Sequence, residues 1–165
     1  MVQQAASAGL WLLAFATPVA LWAMWSDMAS MRIPNKAVLA LTAVFAVVGI
    51  LVLPLDEYIW RWSHLAVVLA IGFVISTAGL VGAGDAKFAA AMAPFVARPD
   101  LGLFLPLFAA ILVSAFVTHR LVRATPALRG MSPGWVSWES SQFPMGLALG
   151  GALIAYLALV AAFGV

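Results

Sequence analysis

Charged residues and cysteines are what this sequence lacks most. Only 8% of its 165 residues are charged, 65% are hydrophobic, and none is cysteine. Soluble domains carry about a quarter of their residues as charges, so this composition indicates a protein that lies in a lipid bilayer. The absence of cysteine excludes disulfide frameworks, zinc fingers, iron–sulfur ligation and thiol nucleophiles.

Basic residues are also few and scattered. The eight Lys and Arg residues form no run or face that could follow a phosphate backbone, which argues against nucleic acid as a partner. No polar stretch is long enough for a soluble domain, so we expect residues 1–165 to form a single integral membrane domain. The first apolar run has no basic residue ahead of it and has the length of a membrane span, which does not fit a cleavable signal peptide.

Long apolar segments predict an all-α, polytopic membrane helix bundle with about six transmembrane helices. A span needs roughly 20 mainly apolar residues, and prolines mark several of the predicted ends. The fourth segment is too short and contains Pro94, so we expect a short, partly re-entrant helix packed inside the bundle. The predicted spans cover residues 5–25, 35–55, 63–81, 85–97, 101–118 and 144–163.

The distribution of basic residues predicts the orientation in the membrane. Cytoplasmic loops are enriched in Lys and Arg, so the loops after the first, third and fifth spans should be cytoplasmic and both termini outside. This orientation places Asp27 and Asp85 at the same, cytoplasmic face. The odd loops contain Arg32, Lys36, Lys87, Arg120, Arg123 and Arg129, and the alternate loops contain Arg61 and Arg98.

Most of the acidic residues are expected to be ordinary loop acids. An acid at membrane depth costs at least ~2.5 kcal/mol, so one retained there needs a structural or functional reason. Asp27 and Asp85 lie beside predicted span ends and therefore stand apart. The four acids predicted to be solvated are Asp56, Glu57, Asp100 and Glu139.

Asp27 and Asp85 could form a catalytic pair. Two neighbouring carboxylates do not both ionise readily, so one stays protonated and the other charged. The charged member can take a proton from an attacking water, and the protonated member can polarise a peptide carbonyl, as in aspartic peptidases. Each residue also has a simpler interpretation: Asp27 would pair with Arg32, and Asp85 would be the N-cap of the fourth helix.

Gly82 and Gly84 precede Asp85 at the junction of two apolar segments. Glycines there allow positive φ or a close approach of the backbone to a ligand, and an irregular segment can pair with a substrate strand. The two histidines, His64 and His119, are predicted at opposite membrane faces. We therefore expect no Ser-His-Asp site and no metal site.

Two motifs in the sequence resemble those of the type IV prepilin peptidases. The first is Asp27 followed by Ile-Pro-Asn at positions 33–35, and the second is Gly-Ala-Gly-Asp at 82–85 followed by Lys87. A third motif, Phe-Pro-Met-Gly at 143–146, is similar to the family's entry to the last helix, with methionine in place of the usual aromatic residue.

The resemblance implies an intramembrane aspartic peptidase formed by residues 1–165, with Asp27 and Asp85 as the catalytic residues. Such an enzyme removes the basic leader from prepilins at the cytoplasmic face and uses no metal or other cofactor. Lys87 either orients the site or is an interfacial lysine that extends its ammonium group towards water. The residues expected to support the site are Gly82, Gly84, Lys87, Arg32, Pro34 and Asn35.

The chain resembles the short form of the family associated with Flp or Tad-type pili. That form lacks the Cys-x-x-Cys region linked to methylation, lies in the bacterial inner membrane, and would have prepilins or pseudopilins as partners. Two alternatives from other classes are a small ion- or proton-coupled transporter and a noncatalytic pilus or secretion assembly protein. The acids follow the first and third spans, which are not equivalent positions in two inverted halves, and this argues against a transporter.

Overall fold

The structure, a computed structural model, describes residues 2–165, and within that range it is a bundle of seven α-helices without a β-strand. Helix α2 contains a five-residue π segment, Phe45–Gly49. The helices are α1 (Ala6–Ser30), α2 (Asn35–Val52), α3 (Leu55–Thr77), α4 (Ala83–Met92), α5 (Leu101–Ala124), α6 (Pro126–Arg129) and α7 (Met145–Phe163).

Five helices, α1, α2, α3, α5 and α7, are long and apolar enough to cross a membrane. The prediction of an all-α membrane bundle is thus confirmed. The fourth predicted span is the ten-residue helix α4, which is followed by a 3-10 turn at Ala93–Phe95. A helix of that length rises about 15 Å, half of the ~30 Å hydrocarbon core, and most of its side chains from Ala86 to Met92 are buried.

The core lies where α1 and α7 pack against each other. Ala16 and Ala20 on α1 and Gly150 on α7 are buried, and a Cβ added at Gly150 would lie 3.1 Å from the Ala20 carbonyl oxygen. Small side chains let two helix backbones approach closely, which is how helices associate within a membrane. Because Asp27 lies near the end of α1, this packing brings it beside the start of α7.

Helix α3 begins eight residues earlier than predicted. Pro54 is its N-cap, and Asp56 and Glu57 lie in its first turn rather than in a loop. Arg61, predicted in an outer loop, is 1% exposed and forms an ion pair with Glu57. Its Nη1 also donates to Gln4 Oε1 at 2.9 Å. Asp56 remains exposed, so only its assignment to a loop was wrong.

Asp100, expected to be solvated, is buried with 2% exposure, and that prediction was wrong. Its carboxylate accepts hydrogen bonds from the Tyr156 hydroxyl at 2.8 Å and from the Gln3 backbone N–H at 2.7 Å. These partners are distant in the sequence, so composition could not reveal them. We call Gln4, Glu57, Arg61, Asp100 and Tyr156 the outer polar cluster.

Candidate active site

Asp27 lies in the last turns of α1, which continues past the predicted span end to Ser30. Its side chain is only 4% exposed. The Oδ2 atom accepts a hydrogen bond from the Gly146 backbone N–H at 2.7 Å. Gly146 is the second residue of α7, and N–H groups in the first turn of a helix have no partner within the helix and favour a negative charge.

Position 146 has no room for a side chain. A Cβ added there would lie 2.9 Å from Oδ2 of Asp27 and 3.1 Å from Cδ1 of Ile33. The sequence identified Gly146 as part of the third motif but did not assign it to the site. The motif was therefore the signal for this residue, and only the packing of α7 against α1 reveals its contact with Asp27.

The turn after α1 connects Asp27 to α2. Met31 adopts a left-handed conformation (φ 53°), and its N–H donates to the Asp27 carbonyl at 2.8 Å. Pro34 is the N-cap of α2, and Asn35 is its first residue. No ion pair joins Asp27 to Arg32 in the described part of the chain, so that interpretation of Asp27 was wrong.

Asp85 is the third residue of α4, and the N-cap is Gly82, so Asp85 does not cap the helix as an N-cap residue. Its carboxylate instead reaches back to the backbone of Gly82, which is half of a capping box. A Cβ added at Gly82 would lie 2.7 Å from Oδ2 of Asp85. At Gly84, by contrast, it would meet Ile33 at an ordinary 3.5 Å.

Lys87 connects the two halves of the site. Its Nζ donates to Oδ1 of Asn35 at 3.3 Å, and both residues are exposed. The Ser26 hydroxyl donates to the Arg32 carbonyl at 2.9 Å, which holds the same turn from the α1 side. The residues expected to support the site therefore lie around it, although Lys87 reaches Asn35 rather than a carboxylate.

Asp27 and Asp85 line one cavity of about 290 Å³ that contains both polar and apolar atoms. Pro34 is the one predicted supporting residue that does not border this cavity. The lining residues are Asp27, Met31, Arg32, Ile33, Asn35, Gly82, Ala83, Gly84, Asp85 and Lys87.

Electrostatics distinguish Asp85 from an ordinary surface acid. It lies at the start of α4, outside the five long helices. Burial raises the pKa of Asp85 from 3.8 to about 6, the negative charge of Asp27 adds to the rise, and the Gly82 hydrogen bond opposes it. The two carboxylates are thus close enough to influence each other, and an acid with this pKa can exchange a proton near neutral pH.

Neither histidine borders the cavity that Asp27 and Asp85 line. Among residues 2–165, no three His, Cys, Asp or Glu side chains are arranged to hold a metal ion. His119 is buried against the rings of Trp138 and Phe143, whereas His64 borders a different cavity between α3 and α5. The two histidines do not meet.

Comparison with protein-family models identifies a family for the chain. The family model described as the type IV leader peptidase family matches residues 13–119, a range that contains Asp27, Asp85 and every residue bordering their cavity. No curated protein and no solved structure matches the chain.

Proposed function

The chain belongs to the type IV leader peptidase family, and on that basis we propose that it is an aspartic endopeptidase with Asp27 and Asp85 as its catalytic pair. We further propose that its substrates are Flp-like prepilins or pseudopilins. Cleavage would take place at the cytoplasmic face of a bacterial inner membrane, and residues 1–165 would act as one peptidase domain.

The observation that carries the proposal is the cavity shared by two carboxylates from separate helices. Asp27 comes from the end of α1 and Asp85 from the start of α4, yet both border the same space. Retaining two acids so close to each other, one of them almost completely buried, has a cost in stability. Catalysis is a reason to retain such a pair, and neither acid has an ion-pair partner within residues 2–165.

The mechanism uses a water molecule as the nucleophile. The ionised carboxylate removes a proton from water as its oxygen attacks the scissile carbonyl carbon, while the protonated carboxyl group donates a hydrogen bond to the carbonyl oxygen. Collapse of the tetrahedral intermediate breaks the C–N bond, and the proton taken from water passes to the leaving amine. The Gly146 bond occupies Oδ2 of Asp27, which leaves Oδ1 for the water.

The location of the pair suits a substrate that is half cytoplasmic and half membrane-embedded. A prepilin has a basic leader followed by a long apolar helix, so its cleavage site lies at the membrane boundary. Both aspartates lie at helix ends, where such a boundary is expected. The 165 residues contain no cysteine and so no Cys-x-x-Cys motif, and we assign them peptidase activity alone.

Cleavage of a Flp-type prepilin by the purified, reconstituted chain tests the proposal. Asp27→Asn and Asp85→Asn should each abolish leader removal, because an amide cannot accept the proton of water or share one with its partner. Asp56→Asn is the matched control, since Asp56 is exposed on the first turn of α3 and should be dispensable. Mass spectrometry of the substrate measures the product.

Two results would contradict the assignment. Leader removal at the wild-type rate by folded Asp85→Asn protein would exclude the aspartic mechanism. A wild-type chain that inserts and folds but cleaves no prepilin would instead favour a transport or assembly role. A chelator should leave the wild-type rate unchanged, and loss of activity on chelation would indicate a metal.

A further inference from the structure

A long apolar groove runs along one side of the bundle between α3 and α5. It consists of two adjoining cavities of about 500 and 200 Å³. Val68 of α3, Ala89 of α4, Phe108 of α5 and Leu149 of α7 border both cavities, so the two lie next to each other along the same wall. We call it the α3–α5 groove, with α4 forming part of its floor.

The groove extends from Asp85 towards the opposite end of the bundle. Asp85 and Ile75 border the smaller cavity, whereas Trp60 and Arg98 border the larger one. Between Trp60 and Ile75, α3 rises about 22 Å, which corresponds to about 15 residues of α-helix. That distance covers most of a ~30 Å hydrocarbon core.

We propose that the α3–α5 groove binds the apolar helix that follows the cleavage site of the substrate. This inference rests on the proposed function, because it takes the substrate to be a leader joined to a membrane helix. The groove is continuous with Asp85, so a helix lying in it presents its N-terminal end to the catalytic pair. Between its two ends the groove wall is apolar, as required for a helix-in-groove contact.

Docking along the groove also determines which peptide bond is cleaved. A helix placed against about four turns of α3 has a limited number of positions along the membrane normal. The residues just before it must leave the helix and extend into the cavity that Asp27, Gly84 and Asp85 border. The groove therefore sets the distance between the apolar helix and the bond that lies between Asp27 and Asp85.

Cysteine cross-linking tests the occupant directly. The chain contains no cysteine, so single cysteines can be introduced without background. In the Asp85→Asn protein, which should bind prepilin without cleaving it, Val68→Cys should cross-link to a cysteine in the apolar helix of the prepilin. Leu69→Cys is the matched control, because the neighbouring Leu69 is 41% exposed and does not border the groove. We expect Leu69→Cys to give about tenfold less cross-linked product than Val68→Cys.

A kinetic comparison tests the same groove in the active enzyme. Val68→Trp would fill the space shared by the two cavities, and Leu69→Trp would add the same ring outside it. The substrates are a complete prepilin and a short peptide that spans the cleavage site but lacks the apolar helix. Val68→Trp should lower the ratio of kcat/KM for prepilin to kcat/KM for peptide about tenfold, and Leu69→Trp should leave that ratio unchanged.

The outcomes separate this proposal from the proposed function. If the wild type does not cleave prepilin, the proposed function itself is wrong. If the wild type cleaves prepilin but Val68→Cys and Leu69→Cys cross-link equally, the substrate helix binds elsewhere and the groove holds lipid. An unchanged kcat/KM ratio in Val68→Trp would overturn the proposal in the same way.

Discussion

Gly146 and Gly82 each support one aspartate of the proposed catalytic pair through their backbones. Gly146 donates its N–H to Asp27, and Gly82 bonds Asp85 from the N-cap of α4. In both cases the missing side chain matters as much as the hydrogen bond, because a Cβ would collide with the carboxylate that it supports. Each aspartate is thus held by the start of a helix and by a glycine that leaves room for it.

Gly146→Ala should reduce leader cleavage by about tenfold or more while the protein still inserts and folds. The added Cβ would lie 2.9 Å from Oδ2 of Asp27, so the carboxylate must turn away from its hydrogen bond, and a shift of about 1 Å can cost 10²-fold in rate. Gly102→Ala is the control, since a Cβ there meets nothing within 4 Å. Equal kcat/KM values for the two variants would contradict the role of Gly146.

Asp85→Asn should stabilise the protein at pH 7 although it abolishes activity. The pKa of Asp85 is about 6 in the folded protein against 3.8 ordinarily, so the folded state binds the proton more tightly than the unfolded chain. Stability linked to this proton is present below pH 3.8 and is lost as the pH rises through 6. The amide of Asp85→Asn does not ionise, so this variant keeps the free energy of unfolding that the wild type loses, which is about 1–2 kcal/mol after solvent screening.

Thermal unfolding in detergent at pH 7 and pH 4 measures this effect. The midpoint of Asp85→Asn should exceed that of the wild type at pH 7, and the difference should disappear at pH 4. Asp56→Asn should show no such pH-dependent gain, because Asp56 is exposed. A lower midpoint for Asp85→Asn at pH 7 would mean that ionised Asp85 stabilises the fold.

At the scale of helices, the outer polar cluster connects segments that are distant in the chain. It joins the residues before α1, the start of α3, the turn between α4 and α5, and the later turns of α7. The Tyr156 hydroxyl donates to Asp100 and accepts from the backbone N–H of Ala97. Arg61 donates to the carbonyls of Pro94 and Phe95. The cluster therefore satisfies the backbone of an irregular segment that would otherwise be buried without partners.

Tyr156→Phe should destabilise the fold by about 1–3 kcal/mol, because it removes the hydroxyl that donates to Oδ2 of the buried Asp100 and accepts from the Ala97 N–H, while the Gln3 bond to Oδ1 of Asp100 remains. The chain has one other tyrosine, Tyr58, whose hydroxyl makes a single 3.1 Å bond to the Ala46 carbonyl. Tyr58→Phe should therefore cost less. Unfolding in a denaturing detergent measures the free energy of unfolding of the two variants. A smaller loss of that free energy in Tyr156→Phe than in Tyr58→Phe would contradict a stabilising role for the outer polar cluster.

At the scale of the whole molecule, both chain ends lie at the same side of the bundle. Val2 and Gly164 form an isolated β-bridge, and the outer polar cluster includes Gln4 from the same end. The loop after α5 approaches the end of α1, where Trp135 packs against Trp25. The end with the chain termini and the end with Asp27 and Asp85 are therefore opposite.

Reporter fusions should place the loop near Arg129 in the cytoplasm and the C-terminus outside. The reason is the excess of Lys and Arg in the loops at the end of the bundle that holds Asp27 and Asp85, since loops rich in Lys and Arg stay on the cytoplasmic side. A cytoplasmic reporter joined after residue 129 should be active, and a periplasmic reporter there should be silent. The opposite pattern would place Asp27 and Asp85 outside and exclude cleavage of cytoplasmic leaders.

The sequence by itself determined the helical membrane class, the short fourth helix and the two aspartates that share a cavity. These features depend on apolar run length and on local motifs, which are read along the chain. The tertiary structure alone revealed the Gly146 bond to Asp27, the burial of Asp100 and Arg61, and the α3–α5 groove. These depend on contacts between segments that are far apart in the sequence, and neither periodicity nor composition specifies which buried groups will become partners.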